Sequence, residues 1–393
     1  MPDAVIVAAC RTPIGTAFKG TLTEVPASEL AVHVIENVIK RSQVSVDDFD
    51  DVILGESMQG GGVIARYAAV ATGLHGVPGL AHNRHCASGL AAVQTAAAGI
   101  RAGMDHAVIA GGAESISTAP RARRRTPGTD DWEDPWMPLS HPDSAEAPAL
   151  DMSVTVGWNT ARIAGVSREE MDAWALNSHA KAVRAIDEGR FADEIVPIRA
   201  RRKDGDDVLF DTDEHPRRGG SLEKMGTLKV LHPEIPGFSI TAGNSSGVND
   251  GAAAVVVTSD EFARAHGLRP LAVVRSWASV GVDPVRTGLA PVEAIPKALA
   301  RAGLTVGDVD LFEINEAFAS MCVATTRELG LDADRVNVNG SGCSLGHPIA
   351  ATGARMVTTM VHELGRRGGG IGVVSMCAGG GMGSALVLEV AGR

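Results

Sequence analysis

His85–Gly112 reads HCASGLAAVQTAAAGIRAGMDHAVIAGG, and the order of its parts decides the fold class. Ala87–Arg101 is a run of small residues with helical periodicity, Ala107–Ala110 is a short apolar strand, and Gly111-Gly112 closes it as a turn. The same order recurs near the other end. His347 opens HPIAATGARMVTTMVHELGRR, and the strand IGVVSM (371–376) and a glycine turn follow. An apolar segment leads into each copy, GLAHNRHC (79–86) in one and RVNVNGSGCSLGH (335–347) in the other. A βα unit used twice implies an internal duplication with two equivalent helix N-termini facing one site. Upstream, Ala4–Ala9 and Val52–Gly55 read as buried strands, and Ser28–Lys40 as an amphipathic helix capped by Ser28. The alternation predicts an α/β layered protein.

The chain has 393 residues, enough for two or three domains at roughly 150 residues each. It is 45% hydrophobic, 21% charged and only 4% aromatic, with 46 glycines. The core must therefore be built from Ala, Val, Ile and Leu with close backbone contacts. Regular patterning breaks at Pro120. Arg121–Leu150, with an Arg cluster (Arg121, Arg123, Arg124, Arg125), reads as a long loop, Arg168–Glu188 as a helix, and polar connections run to about Pro236. Strands resume at Ala252–Thr258 and Leu271–Arg275.

A net charge of −11 argues against a nucleic-acid binder. The N-terminus lacks a basic segment followed by an apolar run, so no signal peptide is expected. Gly368–Leu388 is uncharged and long enough to span a bilayer, but eight glycines make it strand and loop instead. Five cysteines without a CxxC pair point to a reduced, cytoplasmic setting with no disulfide framework and no metal site.

Four residues stand where chemistry is possible. Cys86 begins a small-residue helix, whose dipole and free N–H groups would favour a thiolate; a free Cys is otherwise a small buried hydrophobe. His347 lies in LGHPIAATG, suited to accept a thiol proton or donate to an oxygen. Cys377 ends a buried strand before three glycines, whose backbone N–H groups could face a ligand. Asn315, with Glu316 beside it, interrupts an apolar segment, a polar pair that needs partners. A rival motif, GSGCSLG (340–346), has the outline of a dinucleotide-binding turn, but its spacing is GxGxxxG and no acidic residue follows at the expected distance.

Taken together, the motifs resemble the thiolase family from Val5 to Glu389. They are RTPIG (11–15), CASGLAAV around Cys86, AGGAES (110–115), TAGNSSGVNDGAAA (241–254), EINEAFA around Asn315, NVNGSGCSLGHPIAATG around His347 and CAGGG at Cys377. The resemblance implies two βαβαβαββ halves in a five-layered α/β/α/β/α stack. Residues 1–120, completed by 248–270, would form the first half and 271–393 the second. Residues 121–247 would be an inserted loop domain covering coenzyme A. By the same resemblance Cys86 is the acylated nucleophile, His347 takes its proton, and Cys377 is the second acid/base. Asn315 positions a water in one oxyanion hole, and the N–H groups of Cys86 and Gly379 form the other. Ser246 contacts the pantetheine arm. No tightly bound cofactor is implied, only CoA as co-substrate, with acyl-CoA partners and a homodimeric or homotetrameric assembly.

The chain departs from acetoacetyl-type relatives around the acyl pocket. Met152 stands where they place His, and Ser153 and Thr287 where they place Met; Trp158 replaces the family's usual Glu, Ala290 replaces a Gly in the Thr287 motif, and Cys343 takes a usually nonpolar position. These changes favour CoA-dependent cleavage of medium, long or unusual 3-oxoacyl-CoAs over condensation of two acetyl-CoA. Two other classes compete: a dinucleotide oxidoreductase using the 340–346 turn, and a non-catalytic acyl-CoA-binding protein on the same scaffold. The first leaves Cys86 and Cys377 unexplained, and the intact set Cys86, Asn315, His347 and Cys377 argues against the second.

Overall fold

A computed structural model describes residues 1–201 and 205–392. Its first half runs β1 (Ala4–Arg11), α1 (Ala27–Ser42), β2 (Asp51–Gly55), β3 (Gly79–His82), α2 (Ser88–Ala102), β4 (Ala107–Ser115) and, after a long excursion, β5 (Asn249–Ser259). The second half runs β6 (Ala272–Gly281), α3 (Ala290–Ala302), β7 (Leu311–Ile314), α4 (Thr352–Arg367), β8 (Gly370–Ala378) and β9 (Met382–Val390).

The duplication is visible in the strand pairing. In the first half β2 runs parallel to β4, β4 antiparallel to β5, and β5 antiparallel to β1. In the second, β7 runs parallel to β8, β8 antiparallel to β9, and β9 antiparallel to β6. The halves join where β1 meets β6 through two residue pairs, Val5↔Val273 and Ile6↔Ala272. The sheet order is therefore β7-β8-β9-β6-β1-β5-β4-β2-β3. Gly368–Leu388 is largely the β8–β9 hairpin, and no helix among the described residues is long and apolar enough to cross a membrane.

Layering follows from which helix face is apolar. Helix α1 buries Leu30, Val34, Ile35 and Val38 against the first half, and α3 buries Ile295 and Leu299 against the second. Helices α2 and α4 pack on each other and on strands of both halves, so they form the middle layer of an α/β/α/β/α stack. A helix covered over most of its surface must be small or apolar there, which explains the composition of Ser88–Ala102.

Two features of the first half differ from the sequence reading. Gly111 and Gly112 do not end a strand; they continue β4 to Ser115. A Cβ on Gly111 would lie 2.2 Å from the Ala253 carbonyl oxygen, and one on Gly112 would lie 2.0 Å from that of Ala350. The glycines mark close backbone approach, not a turn. Ser28 does not cap α1 either: Pro26 stands at that position without a side-chain cap.

The excursion between β4 and β5 contains the helix Arg168–Asp187, opened by a Ser167–Glu170 capping box. Buried Arg11, at the end of β1, ties it back through Glu194 (2.6 Å) and Asp213 (2.8 and 2.9 Å). The Arg cluster is not a plain loop. Ala122–Arg125 pairs with Trp132–Trp136 as a hairpin, with Arg123 over Trp132 and Arg124 over Trp136.

Candidate active site

The middle layer brings both halves to one point. Cys86 precedes α2 by two residues, in a turn that places His85 at φ +46°. Ser88 holds that turn, accepting from the Arg84 N–H (2.8 Å) and donating to the His85 carbonyl (2.6 Å). The loop leading into α4 carries His347. Gly55, Gly89 and Gly112 converge on the carbonyl of Ala350 in that loop, where a Cβ on any of them would come within 2.8 Å of the oxygen. The Ala350 N–H donates to buried Glu114 (3.1 Å). Glycine at these three positions therefore lets the Cys86 helix and the His347 loop touch.

His347 is buried, and its Nδ1 lies 2.6 Å from the Thr352 hydroxyl. That hydroxyl donates its single proton to the Pro348 carbonyl (2.9 Å), so it accepts from Nδ1–H. The tautomer leaves Nε2 unprotonated and able to take a proton. The Asn315 amide lies 3.5 Å from Nε2, and the Asn315 Oδ1 is buried without a partner. A Cβ on Gly342 would sit 2.8 Å from that oxygen. An unpaired buried acceptor is costly unless a ligand or water meets it. Glu316, by contrast, is fully used: Trp174, Ser178, Asn337 and the Cys343 N–H all donate to it.

Cys86 is the one partly exposed cysteine, and Cys10, Cys322, Cys343 and Cys377 are buried. Burial pushes the Cys86 thiol up to about 11, opposed by the nearby backbone N–H groups of Gly379 and of Cys86 itself. Desolvation opposes the thiolate that the helix start favours, and α2 begins two residues beyond the cysteine. Burial, with Arg355 second, lowers His347 to about 3, so the imidazole is neutral as well. Cys377 is raised by burial and then by neighbouring Cys86, and its sulfur rests 3.7 Å from the Met321 sulfur.

The remaining sequence candidates fall as follows. Met152 lies beside Gly379, its sulfur 3.7 Å from where a Cβ would be, in the apolar cluster that holds Cys377, Phe318 and Leu289. Ser246 is half-buried and its N–H donates to Ala317 (2.9 Å), next to the Asn315 segment. Thr287 is fully buried with its hydroxyl bonded to the Pro284 carbonyl (2.6 Å), so it offers no free polar group. The turn 340–346 is filled: a Cβ on Gly346 would lie 2.4 Å from Asn249, and Val336 makes only an isolated bridge, not the strand that a dinucleotide motif needs. Among the described residues no group of three or more His, Cys, Asp or Glu could hold a metal.

Sequence reading missed Thr352, Asn249 and Glu114. Asn249 accepts the His347 N–H (2.9 Å) from 98 residues away and donates to the Gly15 carbonyl (3.0 Å) 234 residues away, linking the two motifs. Its place in GNSSGVND was the available signal.

Comparison with known proteins gives the family. Residues 4–261 match the family model described as thiolase, N-terminal domain, and residues 268–390 match thiolase, C-terminal domain. The chain is 42% identical to an acetyl-CoA acetyltransferase of Pseudomonas aeruginosa, covering 99% of each, and 41% identical to a 3-ketoacyl-CoA thiolase of Bacillus subtilis, covering 99% and 100%. The crystal structure of the Bacillus anthracis acetyl-CoA acetyltransferase superposes with a TM-score of 0.93 at 41% identity over 99% of both chains. The chain belongs to the thiolase family of acyltransferases.

Proposed function

We propose that this protein cleaves 3-oxoacyl-CoAs with CoA, giving acetyl-CoA and a shortened acyl-CoA through an acyl-Cys86 intermediate. What supports the reading is a His347 Nε2 free to accept a proton, on a loop that packs at Ala350 against the helix opened by Cys86, with the Asn315 amide 3.5 Å from that nitrogen and the Asn315 Oδ1 buried and unpartnered.

His347 takes the Cys86 proton as the sulfur attacks the keto carbon. Charge develops on the keto oxygen, and preorganised donors facing that charge supply much of the rate. The bond between C2 and C3 then breaks, leaving an acetyl-CoA enolate and acyl-Cys86. Cys377, a neutral buried thiol, protonates C2. Its thiolate next takes the proton of the incoming CoA thiol, whose sulfur attacks the acyl carbon, and His347 returns its proton to Cys86. Each group ends as it began. In this reading Asn315 holds a water for one oxygen, the Cys86 and Gly379 N–H groups serve the other, Ser246 meets the pantetheine arm, and the excursion 121–247 covers CoA.

A biosynthetic reading, condensation of two acetyl-CoA, is the same chemistry reversed, and the names of several relatives favour it. The residues at Met152, Ser153 and Thr287 support the degradative one. Rates of cleavage across short, medium and long linear 3-oxoacyl-CoAs separate the two. An optimum at medium or long chains supports the degradative reading, and a sharp optimum at acetoacetyl-CoA overturns it.

A further inference from the structure

One titratable group outside the Cys86–His347–Cys377 cluster sits where it can shape the site without touching the reacting atoms. His232 Nδ1 lies 2.8 Å from Glu234 Oε1, and its Nε2 lies 2.8 Å from Asp151 Oδ2 and 3.1 Å from the Ser153 hydroxyl. The ring meets Phe238 edge-on at 5.0 Å, and Phe238 lies 5.4 Å from Trp158. Asp151 in turn accepts from the Ser153 N–H (3.0 Å) and hydroxyl (2.6 Å), closing the turn that opens the helical segment Ser153–Trp158. Met152 is the residue between the two that His232 holds. It is also the residue against Gly379, in the apolar cluster with Cys377.

We propose that His232 is a positioning residue for acyl-chain selection: bridging Asp151 and Glu234, it fixes the 151–153 turn and so holds the Met152 thioether as a wall of the acyl pocket. The proposal rests on the thiolase reading of the site. A protonated imidazole donates from both nitrogens to two carboxylates, which only accept; a neutral ring can donate from one. The hydrogen bond to Glu234 and the charge of Asp151 raise the imidazole above its ordinary value. Asp151 and Glu234 are the charged groups paired with it, and Ser153 and Phe238, which also face it, are neutral. The clamp is therefore complete at low pH and lost as pH rises through the raised value of His232. Longer acyl chains gain as the wall loosens.

The test compares kcat/KM for acetoacetyl-CoA and for a medium-chain 3-oxoacyl-CoA in the wild type, His232→Gln, Asp151→Asn and the double variant, from weakly acid to alkaline pH. His232→Gln should shift the ratio about 3–10-fold toward the longer chain. The double variant should add little to either single one, as expected of residues in one network. The wild-type ratio should drift with pH and the His232→Gln ratio should stay flat. Hydrogen exchange of the amides in 153–158 gives a readout that needs no turnover, and it should quicken in His232→Gln. If the wild type turns over neither substrate, the thiolase reading fails, and the clamp then stands or falls on exchange. An unchanged ratio at every pH, or unchanged exchange where there is no turnover, overturns the proposal.

Discussion

At rest Cys86 and His347 are both neutral, and pH is the perturbation that exposes this. Burial holds the thiol at about 11 and the imidazole at about 3. A gap in that direction puts a preformed thiolate–imidazolium pair above the neutral one. At pH 7 the thiolate fraction is then roughly 1 in 10,000. Alkylation of Cys86 by iodoacetamide should rise about tenfold per pH unit from pH 7 to pH 10, with no plateau, because the thiolate is the reacting species. The other four cysteines are buried, so labelling of the native enzyme reports Cys86, and Cys86→Ala should abolish it. A rate already level between pH 6 and pH 8, with His347→Ala restoring a steep dependence, would refute the neutral resting forms and with them the conclusion that the substrate must draw the proton across.

Three further outcomes follow from single contacts. Thr352→Val deprives the His347 Nδ1–H of its acceptor. An unpaired buried donor costs about 1–3 kcal/mol, so kcat should fall about 5–150-fold while Thr352→Ser stays near wild type, as steady-state assays would show. Gly112→Ala drives a methyl into the Ala350 carbonyl; chemical denaturation should show a loss of about 1–3 kcal/mol and activity should drop with it, because the Cys86 helix and the His347 loop part. Burial would raise buried Glu363, but Asn339, Arg366 and Arg367 outweigh it and hold the carboxyl at about 2. A depressed acid stabilises the fold above its unfolded value and loses that contribution as pH falls. Glu363→Gln should therefore cost about 1–2 kcal/mol at neutral pH, measured by denaturant unfolding, and approach wild type as pH drops from about 4.5 toward 2.

The duplication was legible because both copies keep the same order of helix followed by strand, and that local order survives folding even where the glycines after the first strand do not form a turn. Cys86, His347, Asn315 and Cys377 were legible as motif residues. Their environment was not. The thiol's state depends on desolvation by residues far apart in the chain, and the position of Thr352 depends on where α4 begins, five residues after His347. Gly111 and Gly112 look like a turn in sequence, and only the approach of Ala253 and Ala350 shows why they lie within a strand. The Arg cluster misled for a related reason: Arg and Trp residues about ten apart pair across a hairpin whose strands carry no apolar alternation.

The most direct test of the central claim is to mix the enzyme with a 3-oxoacyl-CoA in the absence of free CoA and locate the acyl group by intact mass and peptide mapping. The account predicts one acyl group on Cys86, discharged on adding CoA and absent in Cys86→Ala. Acylation at Cys377 instead, or CoA-dependent cleavage that persists in Cys86→Ala, would contradict it.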